Sequence, residues 1–195
     1  HIVAVLSDSA GADAVLARWG AALALPLLTM TDTVLASTAP PSELRTALPE
    51  ARLVGTGVLR FFALRVYEAR LWAGPGFQAD RYAQSPFALE LVYDRKLEGE
   101  AIAERSIAEM RRVGPFSETQ AAQWLALMKQ AFPDVVAQDR LLGLNDGRGD
   151  VRFFHNGQPT AQTRDAEYAR LFFGIWLSPQ SSAPALRESL LGLGR

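Results

Sequence analysis

Cysteine is absent from the 195 residues. Disulfides, zinc–thiolate sites, iron–sulfur clusters and cysteine nucleophiles are thereby excluded. Histidine is scarce: only His1 and His155 occur, too few for a histidine-based metal site. Lysine is equally scarce, with Lys96 and Lys129 alone. Positive charge therefore rests on arginine, which suits bidentate contacts to carboxylate or phosphate. Neither sign of charge is in excess, with 20 basic residues against 21 acidic ones. No whole-chain field draws the protein to nucleic acid or to an anionic membrane. A long apolar run is lacking too. Trp19 to Leu28 (WGAALALPLL) is too short to span a bilayer. There is no internal repeat and no low-complexity tract.

That apolar stretch follows Arg18 and precedes the small-residue run Val34 to Ala39. The order is that of a secretory signal peptide cut near Ala36 or Ala39, which would make the protein periplasmic or secreted. Asp8, Asp13 and Asp32 suit a loosely held N-terminal helix in a cytoplasmic protein instead. Both readings stand on the sequence. Pro40, Pro41 and Pro49 then punctuate what reads as a linker. Residues 1–49 are thus expected to form an extension, and residues 50–195 one domain. With 49% apolar and 21% charged residues, the chain can build an ordinary globular core.

Leu53 to Ala73 is rich in Val, Phe, Tyr and Trp. It predicts two strands or one long bent strand, with Gly55 and Gly57 at a bulge. Phe87 to Asp94 predicts another strand. Glu98 to Arg112 predicts a helix with Ile102, Ala103, Ile107 and Met110 on one face. Ser117 is placed to cap a second helix, whose stripe is Ala121, Trp124, Leu125, Met128 and Phe132. Strands follow at 140–144, 150–154 and 158–162, with Asn156-Gly157 a strong hairpin signal. Asp165 opens a helix carrying Tyr168, Leu171, Phe172, Ile175 and Trp176, and Pro184 starts a last short helix. Strands, helices, strands, helices is an α+β order. The expected architecture is an antiparallel β-sheet with helices packed on one face, and a ligand would enter between the layers.

Most motifs dissolve on inspection. Gly55-Thr56-Gly57 lacks the third glycine and the helix that a dinucleotide site needs. Asn145 to Asp150 (NDGRGD) lacks the spacing of a calcium loop and reads as a turn. His155 stands alone beside a turn. Glu98, Glu100, Glu104 and Glu109, with Arg105, Arg111 and Arg112, read as a solvated helix face carrying i, i+3 and i+4 pairs. Arg60 differs, because Val58, Leu59, Phe61, Phe62, Ala63 and Leu64 surround it. On a covered face its guanidinium would need a partner such as a ligand carboxylate. On an open face it is simply solvated.

Gly55-x-Gly57 followed by Val66 to Trp72 (VYEARLW) resembles the opening hairpin of bacterial chalcone isomerase-like proteins. Phe153 to Gly157 (FFHNG), Asp165 to Ala169 (DAEYA) and Leu171 to Leu177 (LFFGIWL) resemble that family's last hairpin and helix. The resemblance covers residues 50–192 and implies an open-faced β-sandwich of the chalcone isomerase type. It also implies one of two activities. Plant enzymes of the family cyclise chalcones with an arginine, a tyrosine, an asparagine and hydroxyl groups. Related plant proteins bind fatty acids, with an arginine and a tyrosine at the carboxylate. In register, the enzyme's tyrosine falls at Gly99, its asparagine at Ser106, its helical hydroxyl at Ile175 and its arginine at Leu59 or Arg60.

Three vacated polar positions argue against the plant reaction, since one lost donor costs about 2–4 kcal/mol. The expected function is therefore a non-catalytic carrier of a fatty acid or similar small amphiphile. It would need no cofactor or metal. Arg60 and Tyr67 would hold the head group, Tyr93 and Ser106 would line the cleft, and Phe62, Ile107, Phe172 and Ile175 would face the tail. One alternative is an isomerase or lyase acting on a chalcone-like or other enone through Tyr93, Ser106 and Arg105; another is a periplasmic structural or partner-binding domain whose cleft its own side chains fill.

Overall fold

The computed structural model describes residues 39–193, so Trp19 to Leu28 lie outside the described residues. In chain order the elements are α1 (Leu44–Ala47), β1 (Arg52–Phe61), β2 (Leu64–Ala73), a 3-10 segment (Ala79–Gln84) and β3 (Phe87–Tyr93). Then come α2 (Gly99–Val113), α3 (Glu118–Ala131), β4 (Arg140–Asn145), β5 (Asp150–His155), β6 (Gln158–Arg164), α4 (Ala166–Leu177) and α5 (Pro184–Leu191). The strands form one six-stranded antiparallel sheet whose spatial order is the chain order.

Local chemistry fixes most element ends. Asn156 and Gly157 take φ of 48° and 85°, the left-handed pair that a two-residue hairpin turn requires. One oxygen of Asp146 accepts from the N–H groups of Arg148 and Asp150 at 2.7 and 2.9 Å. NDGRGD is thus a closed turn. Ser117 and Gln120 form a reciprocal capping box at the start of α3. Asp165 caps α4 by accepting from the N–H groups of Glu167 and Tyr168.

Strand alternation divides the sheet into two unlike faces. Ala69, Leu71, Leu89, Leu91, Tyr93, Leu141, Val151 and Phe153 turn toward α2, α3 and α4 and build the main core. Phe172 of α4 is its hub. Its ring lies 5.2–6.0 Å from those of Phe132, Phe153, Tyr168, Phe173 and Trp176. Each such buried side chain is worth about 1.5–3 kcal/mol.

The opposite face carries a smaller cluster of Trp72, Ala88, Leu142 and Leu144, closed by Leu44 and Ala51. The stretch expected to be a linker therefore has a packing role. Pro41 accepts the N–H of Leu44, which starts α1 and drops Leu44 onto the sheet. Beside this cluster lies a chain of ion pairs, Glu68–Arg70–Glu90–Arg140–Glu43.

Gly55 borders the expected bulge, and both glycines serve a second end as well. β1 shifts register between Leu53 and Gly55 and again between Leu59 and Arg60. The two glycines, however, make room for α5. A Cβ at Gly55 would sit 2.3 Å from the Ser189 carbonyl oxygen, and one at Gly57 would sit 2.6 Å from Leu186. Their flatness lets the last helix lie against the edge strand.

Candidate functional site

Tyr67 of β2 and Tyr93 of β3 are cross-strand partners on the helix-facing side. Their rings meet edge to face at 5.8 Å. From α4, Trp176 donates its indole N–H to the Tyr67 hydroxyl at 2.9 Å. Trp176 also packs on Phe172, so it joins the aromatic core to the tyrosine pair. The Tyr67 hydroxyl, having accepted this bond, keeps its own hydrogen, which meets no acceptor among the described residues. The Tyr93 hydroxyl has no hydrogen-bond partner among them either, although Tyr93 is 2% exposed.

α2 supplies the charged wall. Ser106 is buried and its hydroxyl donates to the Ile102 carbonyl at 2.8 Å. Glu109 is buried as well. It pairs with Arg105, one turn earlier, and with Arg112 at 3.8 Å. This corrects the solvated-face reading of α2. Only the arginines of this trio are solvated; the carboxylate points inward, three residues after Ser106. The trio carries one net positive charge against the tyrosine pair.

Burial pushes the Tyr67 hydroxyl up to about 12. The bond from Trp176 and the Arg105 charge pull it down, while the Glu109 carboxylate adds to the rise. Burial, with Tyr67 alongside, pushes Tyr93 well above its ordinary range too. Both hydroxyls are therefore protonated donors at neutral pH, not bases. Tyr67 ionises at its ordinary 10.0 when unfolded and at about 12 when folded. The unfolded chain sheds the proton first, so stability is full below about pH 10 and falls as pH rises toward about 12. Urea unfolding across this range should show that loss, and Tyr67→Phe should lessen it while Tyr93 and Tyr168, raised by burial too, keep the remainder.

Arg60 is not brought to this site. β1 and β2 run past the end of β3, and Arg60 pairs with Arg65 in that overhang. It is exposed, and one guanidinium nitrogen reaches only the Ala63 carbonyl, at 3.5 Å. Two effects moved it. The register shift between Leu59 and Arg60 resets the alternation, and no helix of the described residues covers the overhang. Phe62, expected at the tail, shares the overhang and is 87% exposed. Phe172 faces other rings, while Ile107 and Ile175 pack half-buried against the core. The structure thus gathers Tyr67 and Tyr93, buries Ser106 against its own helix on the inward side of α2, and leaves Arg60 outside.

Trp176 and Glu109 were missed as site residues. Glu109 had a signal, since it continues the inward spacing of Ala103 and Ser106. Trp176 had none beyond its place in an apolar stripe. Position 99 has no room for a tyrosine: a Cβ on Gly99 would lie 2.0 Å from the Phe132 carbonyl oxygen.

Comparison with known proteins agrees with this architecture. An uncharacterized protein of Haemophilus influenzae is 28% identical over 141 residues, 71% of this chain and 67% of its own length. A crystal structure of a fatty-acid binding protein of Arabidopsis thaliana superposes with a TM-score of 0.57. That match has 13% identity and covers 73% of this chain and 87% of the other, a likeness of fold. The pattern of the chalcone isomerase-like family matches residues 33–192, and the chain belongs to that family.

Proposed function

We propose that this domain is a non-catalytic binding protein for a fatty acid or similar small amphiphile, held by its head group at Tyr67 and Tyr93. The observation that carries the reading is the cross-strand pair of protonated hydroxyls, on buried Tyr93 and half-buried Tyr67, whose hydrogens meet no acceptor among the described residues. A carboxylate oxygen reaching both hydroxyls would accept from each, and the Arg105–Glu109–Arg112 trio supplies a net positive charge for it. Arg105 thus takes the part first given to Arg60, with Ser106 beside it. The apolar tail would follow Ile107 and Ile175, the half-buried residues of α2 and α4, with the aromatic core yielding to admit it. The fold shared with a fatty-acid binding protein points the same way. Hydroxyls held this firmly protonated suit donation to a ligand better than proton abstraction from one.

Calorimetry with oleate tests the reading. The intact protein should bind, and the Tyr67→Phe, Tyr93→Phe double variant should bind about tenfold or more weakly, as expected for lost hydrogen bonds to a charged group. An intact protein that ignores oleate, or a double variant that binds it equally well, would overturn the proposal. Turnover of a chalcone by the intact protein would overturn its non-catalytic part.

A further inference from the structure

The β1–β2 hairpin outruns the sheet that carries it. β3 makes its last pair at Tyr93, opposite Tyr67, followed by one bond from the Asp94 N–H to the Val66 carbonyl. β1 and β2 continue to the Phe61–Leu64 pair. At the rise of a strand, this overhang projects about 10 Å. Its tip holds large apolar side chains in the open, with Phe62 87%, Leu64 52% and Phe61 40% exposed. The Phe61 and Phe62 rings meet edge to face at 4.5 Å, so they act as one apolar knob.

The turn itself is costly. Phe62 and Ala63 take φ of 46° and 65°, the left-handed region in which this kind of turn favours Asn and Gly. The same sheet uses Asn156-Gly157 for the equivalent turn between β5 and β6. Phenylalanine at the first tip therefore serves something other than turn geometry.

Unpaired charge near the knob leans positive although the whole chain is balanced, with three cations against one carboxylate, Glu98. Arg65 is paired with Glu68 and Asp94. Arg60 in the overhang, and Arg95 and Lys96 directly after Asp94, enter no ion pair among the described residues. Aromatic rings beside unpaired cations complement a surface that is apolar below and anionic above, which is the headgroup layer of an anionic bilayer. We propose that the hairpin tip seats the domain on an anionic lipid membrane, with Phe61 and Phe62 in the headgroup layer and Arg60, Arg95 and Lys96 facing lipid phosphates. This docking needs no bound amphiphile and stands apart from the Tyr67–Tyr93 reading.

Flotation of the full chain with vesicles tests it. Vesicles containing phosphatidylglycerol should bind the protein about tenfold or more tightly than pure phosphatidylcholine, and added salt should erase the difference. Replacing Phe62→Asn together with Ala63→Gly should relieve the turn, raise the urea midpoint and lower vesicle binding about tenfold. The proposal is overturned if phosphatidylglycerol vesicles capture nothing, or if that better-folded variant binds them as well as the parent. It is equally overturned if the parent stays off vesicles and forms a dimer that the variant does not.

Discussion

Glu90→Ala is expected to lower the unfolding free energy by about 3 kcal/mol, the low end of the range for breaking a buried ion pair. Glu90 is 3% exposed in the middle of the sheet. It accepts the indole N–H of Trp72 at 2.9 Å and lies 3.4 Å from Arg140 and 3.9 Å from Arg70. Alanine would leave the Trp72 donor unpaired in a residue that is 0% exposed, which alone costs about 1–3 kcal/mol. The two guanidiniums would fare better. Arg70 keeps Glu68 at 2.7 Å and Arg140 keeps Glu43 at 2.7 Å. Those surviving pairs place the effect near the bottom of the range. Glu90→Gln keeps an acceptor for Trp72 and should cost about half as much. Urea denaturation of both variants checks this. A glutamine variant as weak as the alanine one would show that the charge dominates, not the indole bond.

Gly99→Ala should cost about 3 kcal/mol or more, from overpacking against immovable atoms. The new methyl would lie 2.0 Å from the Phe132 carbonyl oxygen and 2.7 Å from the Pro133 carbonyl carbon. Both are backbone, so no rotamer change relieves the clash. Helix propensity pulls the other way, since alanine is better than glycine by about 1 kcal/mol inside a helix. The steric term wins because α2 cannot back away: the Gly99 N–H is tied to the Asp134 carboxylate at 2.9 Å. Gly99→Tyr, the side chain that the plant enzymes would put at this position, should not yield a folded protein. Gly74→Ala is the control. A Cβ there meets nothing within 4 Å, and its effect should stay within about 0.5 kcal/mol. Equal midpoints for the Gly74 and Gly99 variants would refute the argument.

The fold was legible wherever its signals were local. Ser117, Asp165, Pro184 and Asn156-Gly157 act on backbone groups within a few residues of themselves, so their sequence is their structure. The α+β order followed from these punctuation marks. What escaped depended on distant partners. Gly55 and Gly57 give no sign, beyond a bulge, of the room they make for α5, which arrives from the far end of the chain. Leu44 looks like part of a linker until the sheet supplies Trp72 and Leu142 beneath it. The tip turn hid behind Phe62-Ala63, a pair that carries no turn signal. At the candidate site, Tyr67, Tyr93 and Ser106 lie within regular elements, so the strand and helix that carry them were readable from the sequence. Arg60 did not, because alternation holds only while register is unbroken and a layer lies above. Glu109 was read by its charge when its spacing was the better guide.

A sheet threaded in chain order also decides where assembly is expensive. Two ladders close across two-residue turns, one across the DGRG loop and one across the segment holding the 3-10 turn. Only β3 and β4 must find each other across the whole of α2 and α3. Loop-closure entropy therefore concentrates in that one seam. The first three strands and the last three each pair across short connections, and the two halves join where Leu89 meets Gly143.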